Sequence, residues 1–440
     1  MIVALVALRL REPLNTSEVH MLRSINRGDC QMFQLKRALG IGVLATALLP
    51  TVAVHSATYY VSTSGSNSNS GTSSKPWRTV AYATSKMVAG DTTYVRGGTY
   101  SEGLIQFGRS GTSSAPIKLL NAPGEFPIVN FIDKTSTRQI RIQNHDGSQK
   151  AIAWITIEGF EIRNGYVGIK VVNGQNLTFR RNWIHHHLTH GIFGNATKSL
   201  IDRNRINHNG DFSRCASTPS ICNQHHGMYM NGTAITLTNN LFYDNLGVGV
   251  QLNGTVSYNS STYPGSDFAL SHNWVIANNT IAYQGHGAGI VVWGANCDSA
   301  RIENNILYEN YVKGASYHTN GIAFTGATSS TGIVIRNNLA FASGSGGTKF
   351  LGSGGSYTQS GNIVNTLNPK FVNAPATLPS SPNFALASGS PAVDKGLSLS
   401  AAKISYPGTT RPQLSAYDIG AYEYYGSGTL AAPTSLQVVN

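Results

Sequence analysis

The segment ITLTNNLFYDNLGVGVQLNG at 235–254 is followed by a second segment of the same design, WVIANNTIAYQGHGAGIVVWG at 274–294. Each has an alternating apolar run, an Asn-Asn pair, a second alternating run, a polar turn and a glycine followed by Val or Ile. The second Asn of the pair recurs at one equivalent position, at Asn182, Asn204, Asn240, Asn279, Asn305 and Asn338. Successive positions are 22 to 39 residues apart, which indicates one coil of fixed length that carries loops of different length.

A coil of a few short strands cannot bury its apolar face alone, but coils stacked about 4.8 Å apart form a continuous core. Asn suits an inward turn of such a stack, because its amide can bond the equivalent amides above and below while it satisfies turn backbone. The repeat therefore predicts an all-β, parallel β-solenoid.

The composition agrees with a β-rich protein that has many turns. Only 12% of the 440 residues are charged and 47 are glycine, which excludes a coiled coil, a helical bundle and a charge-rich disordered protein. The net charge of +12 suits an acidic partner. No Lys/Arg run typical of nucleic-acid binding is present, so we expect an acidic polysaccharide and no nucleic acid.

The N-terminal region reads as a processing segment. Lys36 and Arg37 precede an apolar run at 38–54, and the small residues Ser56 and Ala57 follow. This order predicts a bacterial-type signal peptide within 1–57, with the residues before Met32 as an upstream extension. We therefore expect a secreted or extracellular protein that has no membrane span once the signal is removed.

The repeat resembles secreted right-handed parallel β-helix proteins of the pectate-lyase-like superfamily. The opening at 59–100, YYVSTSGSNSNSGTSSKPWRTVAYATSKMVAGDTTYVRGGTY, resembles polysaccharide lyase family 9 in particular. NPKFVN, ALASGSPAVDKG and RPQLSAYDIGAYEY, within 368–424, resemble the end of exported bacterial β-helix proteins. The resemblance implies a right-handed parallel β-helix that is able to act as a monomer. Its expected parts are an N-cap at 58–100 with a short helix at 76–87, coils at about 101–365, a closing segment at 366–424, and a flexible tail at 425–440.

In that superfamily the substrate cleft lies along one parallel sheet. Its expected counterpart here is the strand after each recurring glycine, where alternation points Lys170, Phe193, Tyr229 and Gln251 outward. Two loop insertions, at 210–224 and 254–268, flank this region.

β-Elimination from a uronate polymer needs a cation for the carboxylate, a base for the neighbouring proton and an acid for the leaving oxygen. The candidate catalytic residues are His226 and Tyr229 as base and acid, with Lys170 and His190 beside them. The alternative is that His226 and Tyr229 are sheet residues that stack on sugars or on each other. The candidate substrate-binding residues are Arg181, Arg203, Arg214, Gln251, Trp293 and Phe193.

His186, His208 and Asp244 occupy one column, four residues after successive ladder asparagines. They are a candidate site for Ca²⁺ or another divalent metal; the alternative is a solvated turn with an ordinary His–Asp hydrogen bond. Cys215 and Cys222 lie in one of the insertions and are predicted to form a disulfide in an exported protein.

The functional hypotheses fall into three classes. The first is an exported polysaccharide lyase acting on a uronate polymer. The second is a glycoside hydrolase or epimerase on the same scaffold, and the third is a non-catalytic carbohydrate-binding or surface protein. The aspartate cluster that family 9 uses to hold calcium has no match here, and acidic residues between 162 and 297 are confined to Asp202, Asp211, Asp244 and Asp267.

Overall fold

The computed structural model describes residues 56–145, 150–254, 270–313, 318–327, 329–344 and 349–426. The predicted signal peptide lies outside the described residues except for positions 56 and 57. The expected tail beyond residue 426 and the insertion at 255–268 also lie outside them. Within the described ranges, no helix has the length and apolar character that a membrane span requires.

The chain winds through three parallel sheets, to which a typical coil contributes one short strand each. Sheet 1 contains, in spatial order, Thr58–Val61, Thr92–Val95, Ile117–Asn121, Ile155–Glu158, Thr178–Arg180, Leu200–Asp202, Thr236–Thr238, Val275–Ala277, Arg301–Glu303, Ile333–Arg336 and Tyr357–Ser360. Sheet 2 contains Gly98–Glu102, Pro127–Phe131, Glu161–Arg163, Trp183–His185, Arg205–Asn207, Leu241–Tyr243, Thr280–Ala282, Ile306–Tyr308, Leu339–Phe341 and Ile363–Val364. The predicted all-β solenoid is confirmed.

Sheet 3 carries the strands that follow the recurring glycines. It contains Ile105–Phe107, Ile140–Ile142, Ile169–Gln175, Ile192–Thr197, Met228–Thr233, Val250–Asn253, Ile290–Trp293 and Ile322–Thr325. Two short strands extend its longer members, Ile152–Ala153 beside Ile169–Gln175 and Ser271–His272 beside Met228–Thr233. Phe371–Asn373 and Asn383–Leu386 form a separate antiparallel pair.

The predicted asparagine ladder is present at the turn between sheets 1 and 2. Each side-chain amide donates to the amide oxygen of the next ladder asparagine over 2.9–3.1 Å. The same oxygen accepts the backbone N–H of the preceding ladder residue. The structure adds Asn362 as a further member after Asn338.

A second buried ladder, which the sequence did not reveal, runs along the turn between sheets 2 and 3. It lies five residues after the first and contains His187, Asn209, Asn245, Gln284, Asn310 and Ser343. Asn209 donates to Asn245 over 2.9 Å, and Asn245 donates to the Gln284 amide oxygen over 3.1 Å. Because four residue types share this column, no single letter repeats along it.

The N-terminal edge is covered by helix α1, Val80–Lys86, which is shorter than the predicted 76–87. It begins at Val80 because the Thr79 side chain caps it by accepting the N–H of Tyr82. The buried Glu102 carboxylate accepts the N–H groups of Val80 (2.6 Å) and Ala81 (3.3 Å). Among the described residues, the other helices are α2, Phe212–Ser217, and two 3-10 turns, Pro219–Ile221 and Ser400–Ala402.

The closing segment at 366–424 lies against the outer face of sheet 2. Phe384, Ile419 and Ala421 pack there on Tyr243 and Tyr308 from the coils. Within the segment, the side chains of Arg411 and Glu423 form an ion pair that is almost completely buried. The later half of sheet 2 is thus covered, whereas its strand at Trp183–His185 keeps Trp183 partly exposed.

Candidate functional site

The outer face of sheet 3 carries one unbroken column of side chains, set by the strand register. It runs through Gln106, Arg141, Lys170, Phe193, Tyr229, Gln251, Val291 and Ala323. The predicted outward positions from Lys170 onward are therefore confirmed as neighbours. Gln106 and Arg141 extend the column toward the N-terminus, and sequence reasoning missed them because their coils lack the Asn-Asn repeat.

A glycine precedes each later strand of this sheet because the position faces the crowded turn of the next coil. A Cβ at Gly191 would lie only 2.6 Å from the Gly227 carbonyl oxygen. The equivalent position one coil before Gly168 holds Gln139, which is fully buried. With its amide oxygen turned toward Arg141, Gln139 accepts from Arg141 Nε (3.1 Å) and Nη2 (2.9 Å).

Arg141 and Lys170 lie side by side on adjacent strands, which are about 4.8 Å apart. Both side chains are partly exposed, and neither enters a salt bridge in the part of the chain that the structure describes. Burial, and then the charge of Arg141, lower the pKa of the Lys170 ammonium. Two unpaired like charges on one open face are an arrangement suited to an anionic ligand.

Four rings cluster next to this cationic pair. Phe193 and Tyr229 are parallel, with centroids 5.6 Å apart, and the His190 ring stacks at 5.0 Å from Phe193. The His226 ring is tilted at 5.6 Å from Tyr229. Lys170 Nζ lies over the Phe193 ring, 6.0 Å from its centroid. Lys170 and Tyr229, on the two neighbouring strands, thus both contact the Phe193 ring.

The two histidines bind backbone. His190 Nδ1 accepts the N–H of His226, and His226 Nδ1 accepts the N–H of Val248, each over 3.1 Å. Because Nδ1 accepts a hydrogen bond in each neutral ring, the ring proton of each histidine lies on Nε2. The Nδ1 lone pair, which is the one that could take a further proton, is therefore already occupied. Burial lowers the pKa of His190 to about 3 and that of His226 well below its ordinary value. The expectation that His226 acts as the base therefore conflicts with its geometry.

The remaining residues of the predicted cleft fall into two groups. Gln251 follows Tyr229 in the column but is only 4% exposed. Trp293 is partly exposed at the end of a later strand, and its ring centroid lies 5.4 Å from that of His318. The column becomes apolar at Val291 and Ala323, so its polar part ends at Gln251.

The predicted arginines do not lie on sheet 3. Arg181 and Arg203 occupy the turn between sheets 1 and 2, where both have a positive φ near 55°. Arg181 forms an ion pair with Glu158, and Arg203 contacts Asp202 over 2.8 Å. Arg214 lies on α2 in the insertion and has an exposed side chain. Arg181 and Arg203 therefore do not belong to the sheet 3 column, and a substrate-binding role for them stays a prediction.

The predicted metal column lies in a left-handed turn, where His186, His208 and Asp244 all have a positive φ. His208 Nδ1 lies 2.6 Å from an Asp244 carboxylate oxygen, and the His186 and His208 ring centroids are 4.4 Å apart. Across the described ranges, the group of three His, Cys, Asp or Glu ligand atoms within 4.8 Å of one another is Cys215, Cys222 and His286, and its two cysteines are joined in a disulfide and offer no thiolate. The three column residues thus show the His–Asp hydrogen bond, and a metal there stays a prediction.

Cys215 and Cys222 are joined in the predicted disulfide. The bridge closes the insertion at 210–224, and both cysteines pack on Leu246. The insertion ends directly before His225, whose Nδ1 accepts the N–H of Asp211 over 3.1 Å. The insertion therefore borders the ring cluster of sheet 3.

The chain has relatives among known proteins. Residues 59–349, more than half of the chain, match the family described as "Pel9A-like, right handed beta helix region". The Bacillus subtilis protein YwoF is 35% identical over 105 residues, 23% of this chain and 22% of that protein. Pectate lyase PEL9 of Emericella nidulans is 32% identical over 142 residues, 31% of this chain and 34% of that protein. The matched stretches thus span about a third or less of either relative.

The structure also aligns with the solved pectate lyase Pel9A, at 18% identity and a TM-score of 0.47, covering 85% of this chain and 97% of that one. A solved rhamnogalacturonan lyase aligns at 16% identity and a TM-score of 0.47, covering 75% of this chain and 96% of that one. Such alignments say nothing about activity. The family match rests on the coils that build sheets 1 to 3, and by that match the chain belongs to the Pel9A-like right-handed β-helix family.

Proposed function

We propose that this protein is an exported polysaccharide lyase that cleaves a uronate-containing polymer by β-elimination on the outer face of sheet 3. The observation that carries the proposal is that Arg141 and Lys170 lie side by side in a polar and aromatic column, with no salt bridge to any acidic residue among those the structure describes. Family membership, a curated pectate lyase among the relatives and the Cys215–Cys222 bridge support it.

Each step of the elimination has a candidate group on this face. The uronate carboxylate binds Arg141, and the Lys170 amine takes the proton at C5. The electron pair of that C–H bond becomes the C4–C5 double bond, the C4–O4 bond breaks, and the leaving oxygen takes a proton. Tyr229, two strands beyond Lys170, is the candidate donor of that last proton.

A glycoside hydrolase is less well supported, because it needs two carboxyl groups across the scissile bond. Asp202 contacts Arg180, Arg203 and Thr238, while Asp211 caps α2. Neither carboxylate lies in the sheet 3 column.

The test uses the mature protein, the panel of polygalacturonate, pectin, alginate and glycosaminoglycans, and the variant Lys170→Met. We expect ultraviolet absorbance from unsaturated uronide ends to rise together with reducing ends, and Lys170→Met to lose at least 100-fold of the rate. The matched control is Lys118→Met, because Lys118 is an exposed lysine on sheet 1. Reducing ends without absorbance would indicate a hydrolase. Retention on a polymer without either signal would indicate a binding protein.

A further inference from the structure

The resemblance to polysaccharide lyase family 9 implies a calcium ion held by aspartates near the substrate carboxylate. The described residues do not fit such an ion on sheet 3, because the column from Gln106 to Ala323 contains no carboxylate. Calcium prefers six to eight oxygen ligands with several carboxylates among them. Asp146 and Asp267 lie outside the described residues.

We propose that Arg141, held in place by the buried Gln139, replaces the metal as the group that binds the uronate carboxylate, so that the site works without a divalent cation. The inference rests on the proposed function for its reaction, but its binding step can be tested separately.

The geometry around Arg141 supports this role. Gln139 uses two donors of the guanidinium, Nε and one from Nη2. An arginine has five N–H donors in a rigid fork, so three stay available for a ligand. Gln139 is fully buried at a position where the later coils have glycine, and its amide is directed at an outer-face arginine. A neutral acceptor fixes the guanidinium without cancelling its charge.

Lys170 lies beside the place where Arg141 would hold the carboxylate. A carboxylate on Arg141 would lie about one strand spacing from the Lys170 amine. The bound carboxylate would reduce the repulsion between the Arg141 and Lys170 cations. Among the described acidic residues, none forms an ion pair with either cation. The carbon that loses its proton is attached to that carboxylate, so binding at Arg141 brings the proton toward Lys170.

Calorimetric binding of trimeric galacturonate, guluronate and glucuronate oligomers, with neutral galactose oligomers as the control, tests the proposal. We expect at least one uronate oligomer to bind with equal affinity in chelator and in calcium, and the neutral oligomers to bind at least tenfold more weakly. Arg141→Gln should lose at least tenfold of that affinity. Gln139→Glu keeps an acceptor for Arg141, but its carboxylate neutralises the guanidinium charge. This variant should therefore also bind the uronate oligomer more weakly, while its melting temperature stays that of the parent protein.

Binding that requires calcium, equal affinity of Arg141→Gln, or no uronate binding at all would overturn the inference. Full affinity of a folded Gln139→Glu would overturn the positioning role. If the uronate binds through Arg141 but no unsaturated product forms, the lyase proposal fails and the binding inference stands. If unsaturated product forms only with calcium, the lyase proposal stands and this inference fails.

Discussion

The imidazole rings of His190 and His226 each accept a backbone N–H from the residue two positions before the following strand of sheet 3. Adjacent histidines near an aromatic row suggested acid–base chemistry, but periodicity along one sequence does not report which ring nitrogen meets the backbone. Arg141 and Gln139 lie outside the recurring Asn-Asn pattern. Their position beside Lys170 therefore became visible only from the strand register of sheet 3.

His226→Ala should remove the acceptor of a buried N–H and lower the free energy of unfolding by about 1–3 kcal/mol. His226→Asn, whose side-chain oxygen can replace Nδ1, should recover part of that loss. Urea unfolding of the two variants measures both changes. Equal stability of His226→Ala and the parent protein would contradict the structural role.

If Lys170 is the base of the proposed elimination, the rate has a pH dependence whose direction follows from its surroundings. Burial and the charge of Arg141 lower its pKa, so the free amine forms at a lower pH than on an ordinary lysine. The value of kcat/KM should therefore rise with pH through this pKa. Arg141→Gln removes the nearby positive charge, which is the smaller of the two causes, so the rise of kcat/KM should move to higher pH. If the variant is active and its pH profile does not move, Arg141 does not lower the pKa of Lys170.

At the scale of elements, the two buried ladders differ in how visible they are. The first repeats one residue type and could be predicted together with its hydrogen bonds. The second mixes His, Asn, Gln and Ser, since several short polar side chains can satisfy the same turn.

Asn240 lies in the middle of the first ladder, where its amide donates to Ile201 O, Thr238 O and the Asn279 amide oxygen. Asn240→Ala should lower the free energy of unfolding by about 2–5 kcal/mol, because several buried groups lose partners at once. Asn362→Ala, at the partly exposed end, is the matched control and should have a smaller effect. Chemical denaturation compares them, and equal losses would contradict the ladder's role.

At the scale of the whole molecule, helix α1 lies near the start of the described chain, the later coils of sheets 1 to 3 follow it, and the segment at 366–424 comes after them. The sequence did not predict that the closing segment covers the later part of sheet 2, because those contacts join residues far apart along the chain, from 66 positions for Tyr308 and Ala374 to 140 for Asn278 and Asp418. The sequence also did not show that Arg181 and Arg203 lie away from sheet 3, because both belong to coils that contribute strands to that sheet.

The buried Arg411–Glu423 pair holds the closing segment together. Glu423→Leu should lower the free energy of unfolding by about 3–5 kcal/mol, because it leaves the Arg411 charge buried and unpaired. The double variant Arg411→Met/Glu423→Leu should recover much of this loss. Thermal and urea unfolding test the comparison, and a double variant less stable than Glu423→Leu would contradict it.

The proposed cleavage of uronate polymers by β-elimination on the outer face of sheet 3 depends on Lys170. Its most direct test follows the ultraviolet absorbance of unsaturated uronide ends over the polymer panel, for the parent protein, Lys170→Met and Lys118→Met. We expect a rise for the parent protein and Lys118→Met, and almost none for Lys170→Met. Absence of any rise on every polymer, or an equal rise in Lys170→Met, would contradict it.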